Sequence, residues 1–307
     1  MKIFKKSVWC MISIFFALLT LIFTVGGNVA SQYDTYINQF FNTKNYDIIQ
    51  SEEGEPFSDY KSDFLNDDGS FNDKAMRNNS LKVALQTATE GTVLLKNKNN
   101  ALPLEKDSKV SFFGISTAKY ILSGAGSGHV GVSVTTNITE ACKDNGINVN
   151  PSLSNAYKIL SSKYGNYLTD LGKTITGSTL SDKCYVEYGI NEAPWDQINK
   201  TTIGNVENTF KDYGDVAFLL ISRNDGEDGD TNYKTPECID NNYLDLAFEE
   251  QKILDNLMDL KNKGTFKKVI LLINSASPMQ MKNISKYDLD SIVWLGIGGN
   301  VSFDQIG

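Results

Sequence analysis

The chain begins with a block that is apolar almost throughout. After Lys2, Lys5 and Lys6, an uncharged stretch runs from Ser7 to Gln32, and its strongly apolar part, Val8 to Val25, is long enough to cross a bilayer as one helix. A cleaved signal peptide is the competing reading. Asn28-Val29-Ala30 matches a small-x-small cleavage site poorly, and the apolar part exceeds the signal core of about 7 to 15 residues. We expect an uncleaved anchor over residues 1–31, with the preceding lysines on the cytoplasmic side and the rest of the chain outside the cell. Cleavage would instead leave a secreted protein. Tyr33 to Phe41 can extend the helix, and the polar Asn42 to Ser70, rich in Asp, Glu, Gly and Ser, completes a juxtamembrane linker over 32–70 without a packed core.

From residue 71 onward the pattern is that of a folded domain running to 307. Ala75, Leu81, Ala84, Leu85 and Ala88 share one face of a helix predicted between Asn72 and Lys98, with Pro103 as its latest end. Four short runs are nearly continuous in apolar residues: KVSFFG (109–114), DVAFLLIS (215–222), KKVILLIN (267–274) and DSIVWLGI (290–297). Continuous rather than alternating hydrophobicity marks strands covered on both faces, and helical stretches such as 241–264 separate them. The fold class is therefore α/β, a mostly parallel sheet flanked by helices. A further helix is expected near Ala156 to Thr169, and the polar remainder of 152–209 has no assignable role.

Composition narrows the chemistry. With 37 acidic against 29 basic residues and no basic stripe, nucleic acid is not an expected partner. Cys10, Cys142, Cys184 and Cys238 have no close pair, which argues against a thiolate metal site and against a disulfide framework. His129 is the only histidine, so acid–base chemistry falls to carboxylates, Lys or Tyr.

The carboxyl end of a strand in an open parallel sheet is where ligands bind. There, directly after DVAFLLIS, the chain reads RNDGEDGD, with Asp225, Glu227, Asp228 and Asp230 inside six positions. Gly226 and Gly229 permit a tight path around Glu227. Composition alone leaves three readings open: a solvated acidic turn, a catalytic loop, or a calcium loop built on Asp225, Asp228 and Asp230. SGAGSGHV (123–130) lacks the strand that should lead directly into a phosphate loop and reads either as a glycine loop bordering a ligand site or as a plain surface loop; His129 has no assigned role. Trp294 is expected in the core, while Trp195 is either a sugar-stacking surface or domain packing.

One stretch is more specific. EGTVLLKNKNNALPL (90–104) resembles the signature, E-x-x-VLLKN-x-x-x-x-LPL, that opens the α/β sandwich domain of glycoside hydrolase family 3. Later pieces resemble that family in the same order: KVSFFG its first strand, SGAGSG its glycine loop, RNDGEDGD its R-x-x-GE-x-x-D segment, and SIVWLGIGGN the strand and glycine turn near the domain's end. The resemblance implies that Glu227 is the general acid/base toward a β-linked glucoside or oligosaccharide; Arg223, Asp225, Asp228 and Asp230 are candidate substrate contacts, the acids binding either sugar hydroxyls or Arg223. Neighbouring Asp225 and Asp228 would raise the acid's pKa by like-charge repulsion, as a proton donor requires. No metal or organic cofactor is implied.

Family members also carry a catalytic barrel that supplies an aspartate nucleophile, and only an anchor and linker precede the sandwich here. That order resembles the circularly permuted branch, in which the barrel comes later. Ending at FDQIG, before an expected closing helix and strand, the sequence reads as a truncated fragment. Alone it is expected to be inactive and, lacking one sheet edge, poorly stable. The alternative from another class is a non-catalytic cell-surface carbohydrate-binding or scaffolding domain.

Overall fold

The computed structural model describes residues 2–41, 63–124, 137–165, 167–169, 187–224, 235–301 and 303. The chain forms two compact units, Met1–Ser70 and Phe71–Gly307.

In the first unit, α1 (Lys2–Gln32) is followed by α2 (Asp34–Phe40). Lys6–Gln32 is long and apolar enough to cross a bilayer, a property that an N-terminal signal sequence shares. Its large side chains, Phe15, Phe16, Leu21 and Phe23 among them, are exposed.

The second unit contains α3 (Asp73–Gly91), β1 (Val93–Asn97), β2 (Lys109–Phe113), α4 (Ile138–Asp144), β3 (Asn148–Val149), α5 (Pro151–Leu160), β4 (Tyr167–Thr169) and β5 (Glu187–Gly189). Then come β6 (Val216–Arg223), α6 (Phe248–Asn262), β7 (Lys268–Ser275), α7 (Met281–Ile284) and β8 (Ser291–Trp294). Among the described residues, one sheet has the order β1-β8-β7-β6-β2-β3, and β4 pairs with β5 separately. Neighbours from β8 to β3 are parallel, whereas β1 runs antiparallel to β8. The fold is thus the expected α/β class with a mostly parallel sheet.

Every residue of β6 is buried, as its continuous apolar run requires. Strand alternation divides the run between two cores. Ala217, Leu219 and Ile221 face α5, α6 and α7 through Leu153, Tyr157, Ile253, Leu257 and Ile284. Val216, Phe218 and Leu220 belong to the opposite core with Ile138, Ala141 and Cys142 of α4. Phe112 and Phe218 stack there with ring centres 4.7 Å apart.

Two predicted helices differ from the structure. The one expected over 72–98 ends at Gly91, and VLLKN instead pairs with β8 as an edge strand. Gly91, followed by β-branched Thr92 and Val93, disfavours further helix, and the ladder satisfies the backbone. Within α3 no residue is fully buried, so the apolar face drawn from Ala75 to Ala88 is only partly covered. The helix expected over 156–169 starts earlier, at Pro151, where the Asn150 side chain accepts the Leu153 N–H at 3.2 Å, and ends at Leu160.

Candidate functional site

Because β2, β6, β7 and β8 are parallel, their carboxyl ends share one edge of the sheet. Titratable groups collect in the buried layer beneath that edge. By contrast, the apolar groove of ≈ 640 Å³ on the α4 face has Cys142 as the only titratable group in its lining, with a thiol pushed up to about 12 by burial.

At the end of β2 the chain turns at Gly114, with φ +97° and an added Cβ only 2.4 Å from the Leu220 carbonyl oxygen. Only glycine fits that turn. The next N–H, of Ile115, donates to both carboxyl oxygens of Glu192 at 2.9 and 3.0 Å, and Ala193 N–H donates to Oε1 at 2.8 Å. Glu192 is buried. Burial first, and the Glu250 charge second, push its pKa up to about 8 against the opposing pull of these donors and Arg223, so Glu192 holds its proton at neutral pH.

At the end of β6 lies Arg223, fully buried. Its Nε donates to the Tyr243 carbonyl at 2.7 Å, Nη1 to the Ser222 carbonyl at 3.0 Å, and Nη2 to the Asp245 carbonyl at 2.5 Å. The remaining donors form a bidentate pair with Glu250 at 2.8 and 2.7 Å. Burial alone would lower the Arg223 pKa, but the charge and hydrogen bonds of Glu250 hold it above the ordinary value. All five N–H groups are therefore engaged within the protein. Its guanidinium points inward, and Arg223, expected as a substrate contact, spends its donors within the protein at the end of β6.

Two further side chains complete the edge. Tyr243 Oη accepts the Asn224 N–H at 2.7 Å and donates to the Asn224 carbonyl at 3.0 Å, closing the segment 224–243 at its stem. Asn274, the buried penultimate residue of β7, accepts from Ile121 N–H and Ser222 Oγ, each at 2.9 Å, and donates to the Gly296 carbonyl at 2.8 Å. It ties together the segments after β2 and β8. The edge is consequently a rim of anchored loop stems over a buried layer that holds the Arg223–Glu250 pair.

Asp225, Glu227, Asp228 and Asp230 lie outside the described residues, as do His129 and most of the glycine loop. Trp195 stacks on Phe113 at 5.6 Å with an interplanar angle of 11°, which is domain packing rather than a free sugar platform. Trp294 is half-buried against the α5–α6 core. Sequence reasoning missed Glu192, Tyr243, Glu250 and Asn274. For Asn274 the signal was a lone amide closing an apolar run; the other three had none.

Residues 92–306 match the family described as Glycosyl hydrolase family 3 C-terminal domain. The chain belongs to that family. A curated β-glucosidase of Ruminococcus albus is 28% identical over 223 residues, 72% of this chain and 20% of its own length. β-Glucosidase A of Butyrivibrio fibrisolvens is 40% identical over 60 residues, 20% of this chain and 7% of its own. The family 3 chain therefore spans a fifth or less of the length of these relatives. Among solved structures, β-glucosidase 3B of Thermotoga neapolitana in complex with glucose aligns with a TM-score of 0.55 at 24% identity, covering 77% of this chain and 29% of that one. A β-glucosidase from Paenibacillus barengoltzii gives 0.54 at 24% identity, covering 74% and 22%. These two structures share the fold.

Proposed function

We propose that this family 3 domain supplies the general acid/base, Glu227, to a retaining β-glucosidase. The nucleophile comes from a barrel domain outside this chain. Residues 1–31 anchor the protein in the cell membrane, 32–70 form a linker, and 71–307 form the domain, which works outside the cell on β-linked glucosides or short oligosaccharides. Asp225, Asp228 and Asp230 flank the acid, raising its pKa or binding sugar hydroxyls.

One observation carries this reading. The R-x-x-GE-x-x-D segment leaves the carboxyl end of a central parallel strand, inside the region that matches the family, from a stem anchored by Arg223. In the reaction, Glu227 protonates the glycosidic oxygen as the C–O bond breaks and the nucleophile bonds to the anomeric carbon. It then takes a proton from the water that releases the sugar. A separation of about 5 to 5.5 Å between the two carboxyl groups is required.

The test is chemical rescue in an enzyme of its relatives' length that carries this chain. With Glu227→Ala and an activated aryl β-glucoside, azide should raise the rate and yield a β-glucosyl azide. Absence of both effects would remove Glu227 from the role.

A further inference from the structure

Two helices carry the same polar pair on the face that packing does not use. In α4, Ile138, Ala141 and Cys142 are buried, and Thr139 and Lys143 stand one turn apart outside them. In α5, Leu153, Ala156, Tyr157 and Leu160 are buried, and Ser154 and Lys158 repeat the spacing. Both hydroxyl residues and both lysines line one cavity of ≈ 440 Å³, which Thr117, in the segment after β2, also borders. That volume suits a small molecule. Because α4 leads into β3 and α5 leaves it, the cavity belongs to the β3 end of the sheet, two strands from β6.

The hydroxyl protons along its walls are directed into the protein. Thr117 Oγ1 donates to the Gly114 carbonyl at 2.8 Å, Thr139 Oγ1 to Asn137 Oδ1 at 2.6 Å, and Ser154 Oγ to the Asn150 carbonyl at 2.9 Å. These groups therefore offer a ligand oxygen lone pairs. Donors come from elsewhere in the lining. Among the described residues, no carboxylate pairs with the Lys143 or Lys158 ammonium, and the side-chain NH2 groups of Asn137 and Asn155 have no acceptor. Glu140 is the one acid of the lining, and its Oε2 already accepts the Asn137 N–H at 3.3 Å. Two cations thus stand against one anion, with lone pairs between them. A neutral sugar gains nothing from the excess charge, and a bare anion leaves the hydroxyl oxygens without donors. A sugar with an acidic group answers both: its anion accepts ammonium N–H bonds, and its hydroxyls donate to the Thr and Ser oxygens.

We propose that this cavity binds a small carbohydrate carrying one negative group, a carboxylate or a phosphate. The site stands apart from the acid/base reading of Glu227 and survives its failure. Lys143 and Lys158 supply the discrimination between acidic and neutral sugars, and the hydroxyl oxygens that between a sugar and a bare anion.

The test titrates the full chain, in a neutral, sugar-free detergent at low salt, with glucuronate, glucose 6-phosphate and glucose, reading saturation transfer to the ligand. At least one acidic sugar should bind, the tighter of the two naming the group, and glucose should bind at least about tenfold more weakly. Lys143→Gln combined with Lys158→Gln changes two exposed side chains and should weaken the acidic sugar about tenfold, while any glucose signal from elsewhere stays as it was. Lys74→Gln with Lys82→Gln, exposed on α3, alters net charge equally and should change neither. Inorganic phosphate should displace glucose 6-phosphate only in excess. Absence of binding by both acidic sugars overturns the proposal on the unmutated chain alone, as does glucose binding as tightly as they do. Displacement by equimolar phosphate, no loss from the cavity pair, or an equal loss from the α3 pair overturns it as well.

Discussion

Glu250→Leu is the sharpest probe of the layer under the functional edge. The carboxylate is 2% exposed and its partner Arg223 not at all, and two of the five guanidinium donors end on it. Removing it strands a buried cation and also frees the Ala247 N–H, which donates to Glu250 Oε2 at 2.8 Å. Breaking a buried pair from one side costs about 3–5 kcal/mol. At about 2–4 °C per kcal/mol for a domain of this size, Tm should fall by roughly 6–20 °C. The comparison is Lys98→Ala, which breaks the pair with Asp288 at 2.9 Å, where the side chains are 45% and 67% exposed. That loss should be far smaller, because water screens a pair on the surface. Thermal unfolding of the detergent-solubilised chain, followed by circular dichroism, measures both. The double variant Arg223→Met with Glu250→Leu should be more stable than Glu250→Leu alone because no unpaired charge remains. It should still fall short of the parent, since the carbonyls of Ser222, Tyr243 and Asp245 lose a donor. Equal, small losses for Glu250→Leu and Lys98→Ala would refute the reasoning, as would a double variant whose loss is the sum of its singles.

Glu192 gives a pH dependence of defined sign. Its folded pKa is raised from 4.5 to about 8, so the folded chain keeps a proton that the unfolded chain releases, and stability falls as pH rises through that window. At about 1.36 kcal/mol per pKa unit the fall is at most roughly 5 kcal/mol, and Glu192→Gln should flatten it in urea midpoints measured from pH 5 to 9. Gly114→Ala should cost at least about 3 kcal/mol, because the new methyl meets the Leu220 carbonyl in a backbone region nearly confined to glycine. Gly204→Ala, with φ +88° but nothing within 4 Å, should cost only about 1–2 kcal/mol in the same urea titration.

What could be read from the sequence follows from how each element is stabilised. β2, β6, β7 and β8 were legible because strands covered on both faces must be apolar at every position, and that leaves uninterrupted runs. The edge strand β1 was read as helix because its residues are largely exposed and carry neither period clearly. The start of α5 was available in Asn150-Pro151, a capping residue followed by proline, and was overlooked. The R-x-x-GE-x-x-D segment was visible through resemblance alone. The inward turn of Arg223 was not, because its partner Glu250 lies 27 residues along the chain and no local pattern joins them. Glu192 is a single acid in a polar stretch; only the turn at Gly114, far off in sequence, makes it a buried anchor.

Proton donation by Glu227 is read most directly from the leaving-group dependence of Glu227→Gln in an enzyme of its relatives' length. Across aryl β-glucosides of graded phenol pKa, the variant should lose rate steeply as the leaving group worsens and little for the most acidic phenols, because only poor leaving groups need the proton. A loss of the same size for every substrate in the series would contradict it.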